Sequence, residues 1–242
     1  MRTGTVRVVI ATVALWGASA PAHARCAWMG PACSTFWSYE AVFEGTVANI
    51  EQKPADLLDP EPLRMPYRIV TFDVNRSWRG DAAGRIQVRS PGGPNVWVED
   101  AFNFKVNRRY LVFARRPPGG TALMTNGCDP TAAIPSKEAA GTLAFLDTLD
   151  KPSAGGRISG DVQVVRAGGG REPLEADVIL EGPGGERRTA RATRGEYSFD
   201  GVPPGRYTVT VQTDAGAPAE RVETTAIEDP HQCRWVSFYL RR

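Results

Sequence analysis

The apolar residues of this chain come in short runs rich in Val, Ile, Phe and Tyr, each closed off by Gly or Pro, and that punctuation points to strands rather than helices. Residues 41–50 (AVFEGTVANI), 67–74 (YRIVTFDV), 84–90 (GRIQVRS), 109–114 (RYLVFA) and 121–125 (TALMT) read as five strands, a number that suits a small barrel. Within the second run Arg68, Val70, Phe72 and Val74 share one side, and after Arg68 that side is apolar, so it is expected to face the core. Residues 51–66 break the pattern with prolines and acids and read as a long surface loop. One helix is predicted after Cys128: Ser136 can cap SKEAAGTLAFLDTLD, Glu138 sits in the first turn, and Ala139, Leu143, Leu146 and Leu149 form a stripe that would pack on the barrel.

Residues 151–156 (KPSAGG) have linker composition and divide the chain into two blocks, 25–150 and 157–242. In the second block RISGDVQVV, ADVILEG, RRTARAT, GEYSFDGVPPGRYTVTVQT, VETTAIE and RWVSFYLR supply about seven strands with turn signals between them, the pattern of an antiparallel sandwich. Its densest signal is a strand-turn-strand motif: Tyr197 and Phe199 alternate on one face, Pro203-Pro204-Gly205 forces a tight turn, and Tyr207, Val209 and Val211 return along the next strand.

Residues 1–24 combine Arg2 and Arg7, an apolar run and the small-x-small triplet Ala22-His23-Ala24, which together read as a signal peptide cleaved before Arg25. The apolar run is too short for a membrane span, and no later segment is a candidate for one. The chain carries 29 Lys and Arg against 27 Asp and Glu, so losing Arg2 and Arg7 leaves it balanced, which removes the electrostatic case for nucleic acid. Export places Cys26, Cys33, Cys128 and Cys233 where thiols tend to pair. The Ala-, Arg-, Gly- and Pro-rich composition fits a bacterial protein that is secreted or periplasmic.

The motif GxYxFxxVPPGxYxVxV over residues 195–211 resembles the carboxypeptidase regulatory-like domain, a transthyretin-type β-sandwich. The resemblance covers residues 156–242 and implies an accessory or interaction role without catalytic residues; the family is grouped with carbohydrate-binding-like folds. The first block is similar to the netrin-like barrel of the tissue inhibitors of metalloproteinases and their bacterial relatives. The similarity lies in Cys26 at the mature start, Ala41-Val42-Phe43-Glu44-Gly45-Thr46-Val47, the VNRSWRG of residues 74–80, Tyr110-Leu111-Val112-Phe113-Ala114, and Asn126-Gly127-Cys128 before the helix. The two resemblances imply a mainly β fold: a five-stranded OB-like barrel with one C-terminal helix, then an antiparallel β-sandwich. The netrin-like pattern implies a disulfide from the N-terminal segment to the barrel, worth roughly 4 kcal/mol for a loop of about 100 residues. Cys26 with Cys128 is the favoured pair and Cys33 with Cys128 its rival; the cysteine left over pairs with Cys233 across the blocks, or both stay free. Trp28 stands where that family has its second cysteine, and Arg25 precedes Cys26.

Candidate binding residues are the edge Cys26, Ala27, Trp28 and Met29, and Trp97, which lies in a Gly/Pro-rich loop and could stack on a sugar or peptide. Asp229, His231 and Cys233 lie too close together in sequence to converge on a metal and read as a solvated turn, and Arg187, Arg188, Arg191 and Arg194 read as a solvated face. No nucleophile motif stands in a fitting context, and no cofactor is implied. The preferred reading is an exported non-enzymatic binding protein with a protein or glycan partner outside the cytoplasm. The alternatives are a metalloprotease inhibitor acting through Cys26 to Met29, and carbohydrate or cell-envelope binding by the sandwich.

Overall fold

The computed structural model describes residues 26, 30–55, 66–93, 101–213 and 221–241. The chain is mainly β. It begins with a short helix α1 (Ala32–Thr35) and a 3-10 turn (Phe36–Ser38), then runs into the strands β1 (Ala41–Lys53), β2 (Tyr67–Arg79), β3 (Arg85–Pro91), β4 (Arg109–Ala114) and β5 (Ala132–Ile134), followed by helix α2 (Lys137–Leu146). These strands form one five-stranded sheet in the order β3-β2-β1-β4-β5, antiparallel at every step.

The sheet ladder does not close on itself. Met124 bridges Arg89 of the edge strand β3 on one side and Arg115, just beyond β4, on the other. The expected fifth strand at 121–125 is therefore only this bridge, because the segment is pinned between the turns at Gly119-Gly120 and Asn126-Gly127 and has room for no longer ladder. Ala132–Ile134 takes the ladder position beside β4 instead. The loop expected over 51–66 begins later than the prolines and acids imply, since Glu51, Gln52 and Lys53 still pair with Ile69, Arg68 and Tyr67.

Alternation builds two apolar layers from this sheet. Phe43, Val70, Phe72, Phe104, Tyr110 and Val112 fill the concave side, where Phe72 meets Phe43 and Phe104 edge-on at centroid distances of 5.5 and 5.4 Å. Val42, Leu111 and Phe113 project to the opposite side and are covered by Phe36, Tyr39 and Leu146. Helix α2 provides part of that cover: Ser136 accepts a hydrogen bond from the Ala139 amide at 3.1 Å as its N-cap, Ala139 and Leu146 are buried, and Leu143 and, just past the helix, Leu149 pack at the margin.

The remaining strands are β6 (Gly156–Val165), β7 (Arg171–Pro173), β8 (Ala176–Glu181), β9 (Arg187–Ala192), β10 (Glu196–Val202), β11 (Gly205–Gln212), β12 (Arg221–Ile227), β13 (Cys233–Trp235) and β14 (Phe238–Arg241). One sheet has the order β12-β11-β8-β9. The other is organised around β6, with β10 and then β7 on one side and β13 and then β14 on the other. The two sheets enclose a common core that includes Ile158, Val162, Leu180, Phe199, Val209 and Phe238.

Two turns carry the chain between the two sheets, β9 to β10 and β10 to β11. Arg194 and Gly195, at φ 53° and 82°, join β9 to β10 through a two-residue turn closed by reciprocal Thr193–Glu196 hydrogen bonds, the backbone sign a type I′ hairpin needs. Pro203 and Pro204 join β10 to β11, and the Tyr207 hydroxyl donates to the Pro203 carbonyl at 2.7 Å. One departure from a purely antiparallel sandwich appears: β13 and β14 return parallel to β6. A Cβ on Gly160 would collide with the Val236 carbonyl oxygen at 1.7 Å, so the close passage of the chain between β13 and β14 depends on that glycine.

Candidate functional site

The outward face of the β6 sheet carries polar groups by simple alternation. Arg157, Ser159 and Asp161 point away from the core that Ile158 and Val162 enter, and their cross-strand partners on β10 are Asp200, Ser198 and Glu196. On the other side of β6, Trp235 lies opposite Ser159. Trp235 is 42% exposed, and it borders a shallow groove of about 520 Å³ whose walls include Arg157, Ser159, Arg191, Glu196 and Ser198.

This indole is held in place. Its Nε1–H donates to Ser237 Oγ at 2.8 Å, and the Ser237 hydroxyl donates in turn to the Asp161 carboxylate. A ring fixed by such a relay loses little freedom when a ligand stacks on it. Below the groove, the buried Tyr197 hydroxyl donates to the Val236 carbonyl at 2.7 Å. Burial, and then the charges of Asp161 and Glu223, push the Tyr197 phenol above its ordinary range, so it remains a neutral donor. The guanidinium groups are matched by acids: Arg157 pairs with Asp200, and Arg191 with Asp177 at 3.3 Å and Glu175 at 3.8 Å. Chemically the groove offers an aromatic platform, hydroxyls and neutralised charges.

A larger depression, about 630 Å³, lies where Cys33 and Phe145 of the first block meet the linker and the 229–233 turn. Its polar groups are engaged with one another. His231 contacts Asp229 Oδ1 through Nδ1 at 3.1 Å and the Lys151 carbonyl through Nε2 at 2.9 Å, and the Ser153 hydroxyl donates to the Pro230 carbonyl at 2.6 Å. That arrangement is a seam between the blocks, and the Trp235 groove is the better candidate for a ligand.

The other residues singled out from the sequence are distributed as follows. Cys26 bonds Cys128 and Cys33 bonds Cys233, at Cα–Cα distances of 5.3 and 5.2 Å. Ala27, Trp28, Met29 and Trp97 lie outside the described residues. Cys233 is in a disulfide, and among the described residues no three His, Cys, Asp or Glu side chains are placed to hold a metal. Arg187 and Arg188 are on the surface, with Arg188 donating to the Asp200 carbonyl at 2.8 Å, and Arg194 forms the hairpin turn. Trp235 was missed as a site residue, yet a signal for it exists. In RWVSFYLR the residues Val236, Phe238 and Leu240 alternate with Trp235, Ser237 and Tyr239, so two aromatics occupy the polar side of a strand.

No family model matches the sequence, and a search of curated proteins finds no match. Among solved structures, the crystal structure of a candidate carbohydrate-binding protein from Pseudomonas aeruginosa aligns with 17% identity and a TM-score of 0.28, covering 38% of this chain and 93% of that one. A likeness of that size carries no weight for fold or ligand.

Proposed function

We propose that the protein is an exported, non-enzymatic binding protein whose sandwich, residues 157–242, holds an extracytoplasmic glycan at the Trp235 groove. The single observation that carries this reading is the exposed, hydrogen-bond-fixed Trp235 beside a groove of hydroxyls and paired charges. Sugars present apolar C–H faces edged by hydroxyls, and that surface suits a fixed aromatic ring surrounded by donors and acceptors. Residues 25–150 form, in this reading, a scaffold tied to the sandwich by Cys33–Cys233. Two disulfides fit an oxidising compartment, and no helix among the described residues is long and apolar enough to cross a membrane. The metalloprotease-inhibitor alternative depends on Ala27, Trp28 and Met29, outside the described residues, and no described feature favours it.

The test is retention of the full chain on an array of neutral and acidic glycans, with Trp235→Ala run in parallel. Retention of the native protein that disappears in the variant is expected. Retention of both proteins alike, or of neither, would contradict the reading.

A further inference from the structure

The groove at Trp235 is one end of a longer track. Along the outward side of β6 the side chains Ser159, Asp161 and Gln163 follow one another at two-residue intervals. Beside them β13 and β14 keep a single parallel register, with Trp235 opposite Ser159 and Tyr239 opposite Gln163. The register is the same on both sides of the interruption at Val236 and Ser237, so the two aromatic residues project from the same side of the sheet. Four positions separate them, which at the strand rise of about 3.3 Å per residue is about 13 Å. That is longer than one six-membered sugar ring and calls for a ligand of several linked units.

The groups between and around the two rings fit such a chain. Ser237 and Asp161, joined to each other and to the Trp235 indole, occupy the middle. At the far end Tyr239 is 37% exposed, with the Arg171 guanidinium 4.7 Å over its ring. Next to Tyr239 lies Gln163, whose Oε1 is buried without a hydrogen-bond partner. The pairing of Arg157 with Asp200, and the further acids Asp161 and Glu196, give the Trp235 end no net attraction for an anion.

We infer that this face takes an extended, unbranched, uncharged glycan lying along β6, with one sugar stacked on Trp235 and another contacting Tyr239 and Gln163, and that it does not take a single terminal sugar. The inference rests on the proposed function and commits it to a chain length and a charge class. Titration calorimetry of the full protein tests it, using linear β-1,4-glucose, β-1,4-N-acetylglucosamine, β-1,3-glucose and α-1,4-glucose oligomers of increasing length. For at least one series, affinity is expected to rise about tenfold or more from the monosaccharide and then level off. Trp235→Ala lowers the affinity about 30-fold or more at every length. Tyr239→Ala lowers the affinity for long oligomers to that for short ones and leaves short ones unchanged. If short and long oligomers bind alike, or if Tyr239→Ala leaves the length dependence intact, the extended-chain inference falls while glycan binding stands. If no series binds in a Trp235-dependent way, both fall.

Discussion

The core of the first block and the outward β6 face of the sandwich use their aromatic residues in opposite ways. In the first block Phe36, Tyr39, Phe43, Phe72, Phe104, Tyr110 and Phe113 are each 5% exposed or less, whereas the β6 face of the sandwich leaves Trp235 at 42% and Tyr239 at 37%. Tyr39 and Trp235 each make a side-chain hydrogen bond of 2.8 Å, Tyr39 to Asp129 and Trp235 to Ser237. The Tyr39 bond is sealed inside packed side chains and serves stability; the Trp235 bond orients a ring that faces solvent. The difference teaches that ring content alone does not mark a binding surface. An aromatic that is fixed yet uncovered is the informative case.

The contrast can be broken most forcefully in the core. Phe72→Ala removes the ring that links Phe43 and Phe104 and is expected to cost about 3–5 kcal/mol in denaturant unfolding, while the folded fraction keeps its glycan affinity. A loss of affinity in excess of the unfolded fraction would mean that the first block takes part in binding. Next in size is the double change Cys33→Ser with Cys233→Ser. It removes a crosslink spanning 200 residues and is expected to cost about 2–4 kcal/mol by the same measurement, again without affecting ligand. Trp235→Ala reverses the pattern. Stability is expected to change by under about 0.5 kcal/mol, and glycan affinity to fall about 30-fold or more, as for other buried-on-binding tryptophans.

The smallest effect is invisible at neutral pH. Burial first, and then the nearby carboxylates, push the phenols of Tyr39 and Tyr197 above their ordinary range. The folded state therefore keeps protons that the unfolded chain releases, so their contribution is complete below about pH 10 and is lost as pH rises further. Tyr39→Phe and Tyr197→Phe should each flatten the alkaline fall in melting temperature. Variants with an unchanged slope would show that these phenols are not what titrates.

Much of this architecture was legible where the governing interactions are local. The Val70 and Phe72 side of β2 does face the core, Ser136 does cap α2, and the 195–211 segment does form β10, a turn at Pro203 and Pro204, and β11, although the two strands lie in different sheets and do not pair. Long-range pairings were not legible. Nothing near Ala132–Ile134 announces a strand, because among the described residues it pairs only with the edge of β4, and the short run at 121–125 looks like a strand yet forms bridges only at Met124. The parallel return of β13 and β14 to β6 likewise joins residues more than seventy positions apart. For the candidate site, alternation places Trp235 and Ser237 on one side of a strand, but only the tertiary structure decides whether that side is covered.

The most direct test of the account is a map of amide chemical shifts in the isotope-labelled full-length protein, titrated with the best-retained oligosaccharide. The shifts are expected to concentrate on residues 157–163, 196–198 and 235–239, with the first block and the turn around His231 unmoved. Shifts centred on the first block or on that turn would contradict it.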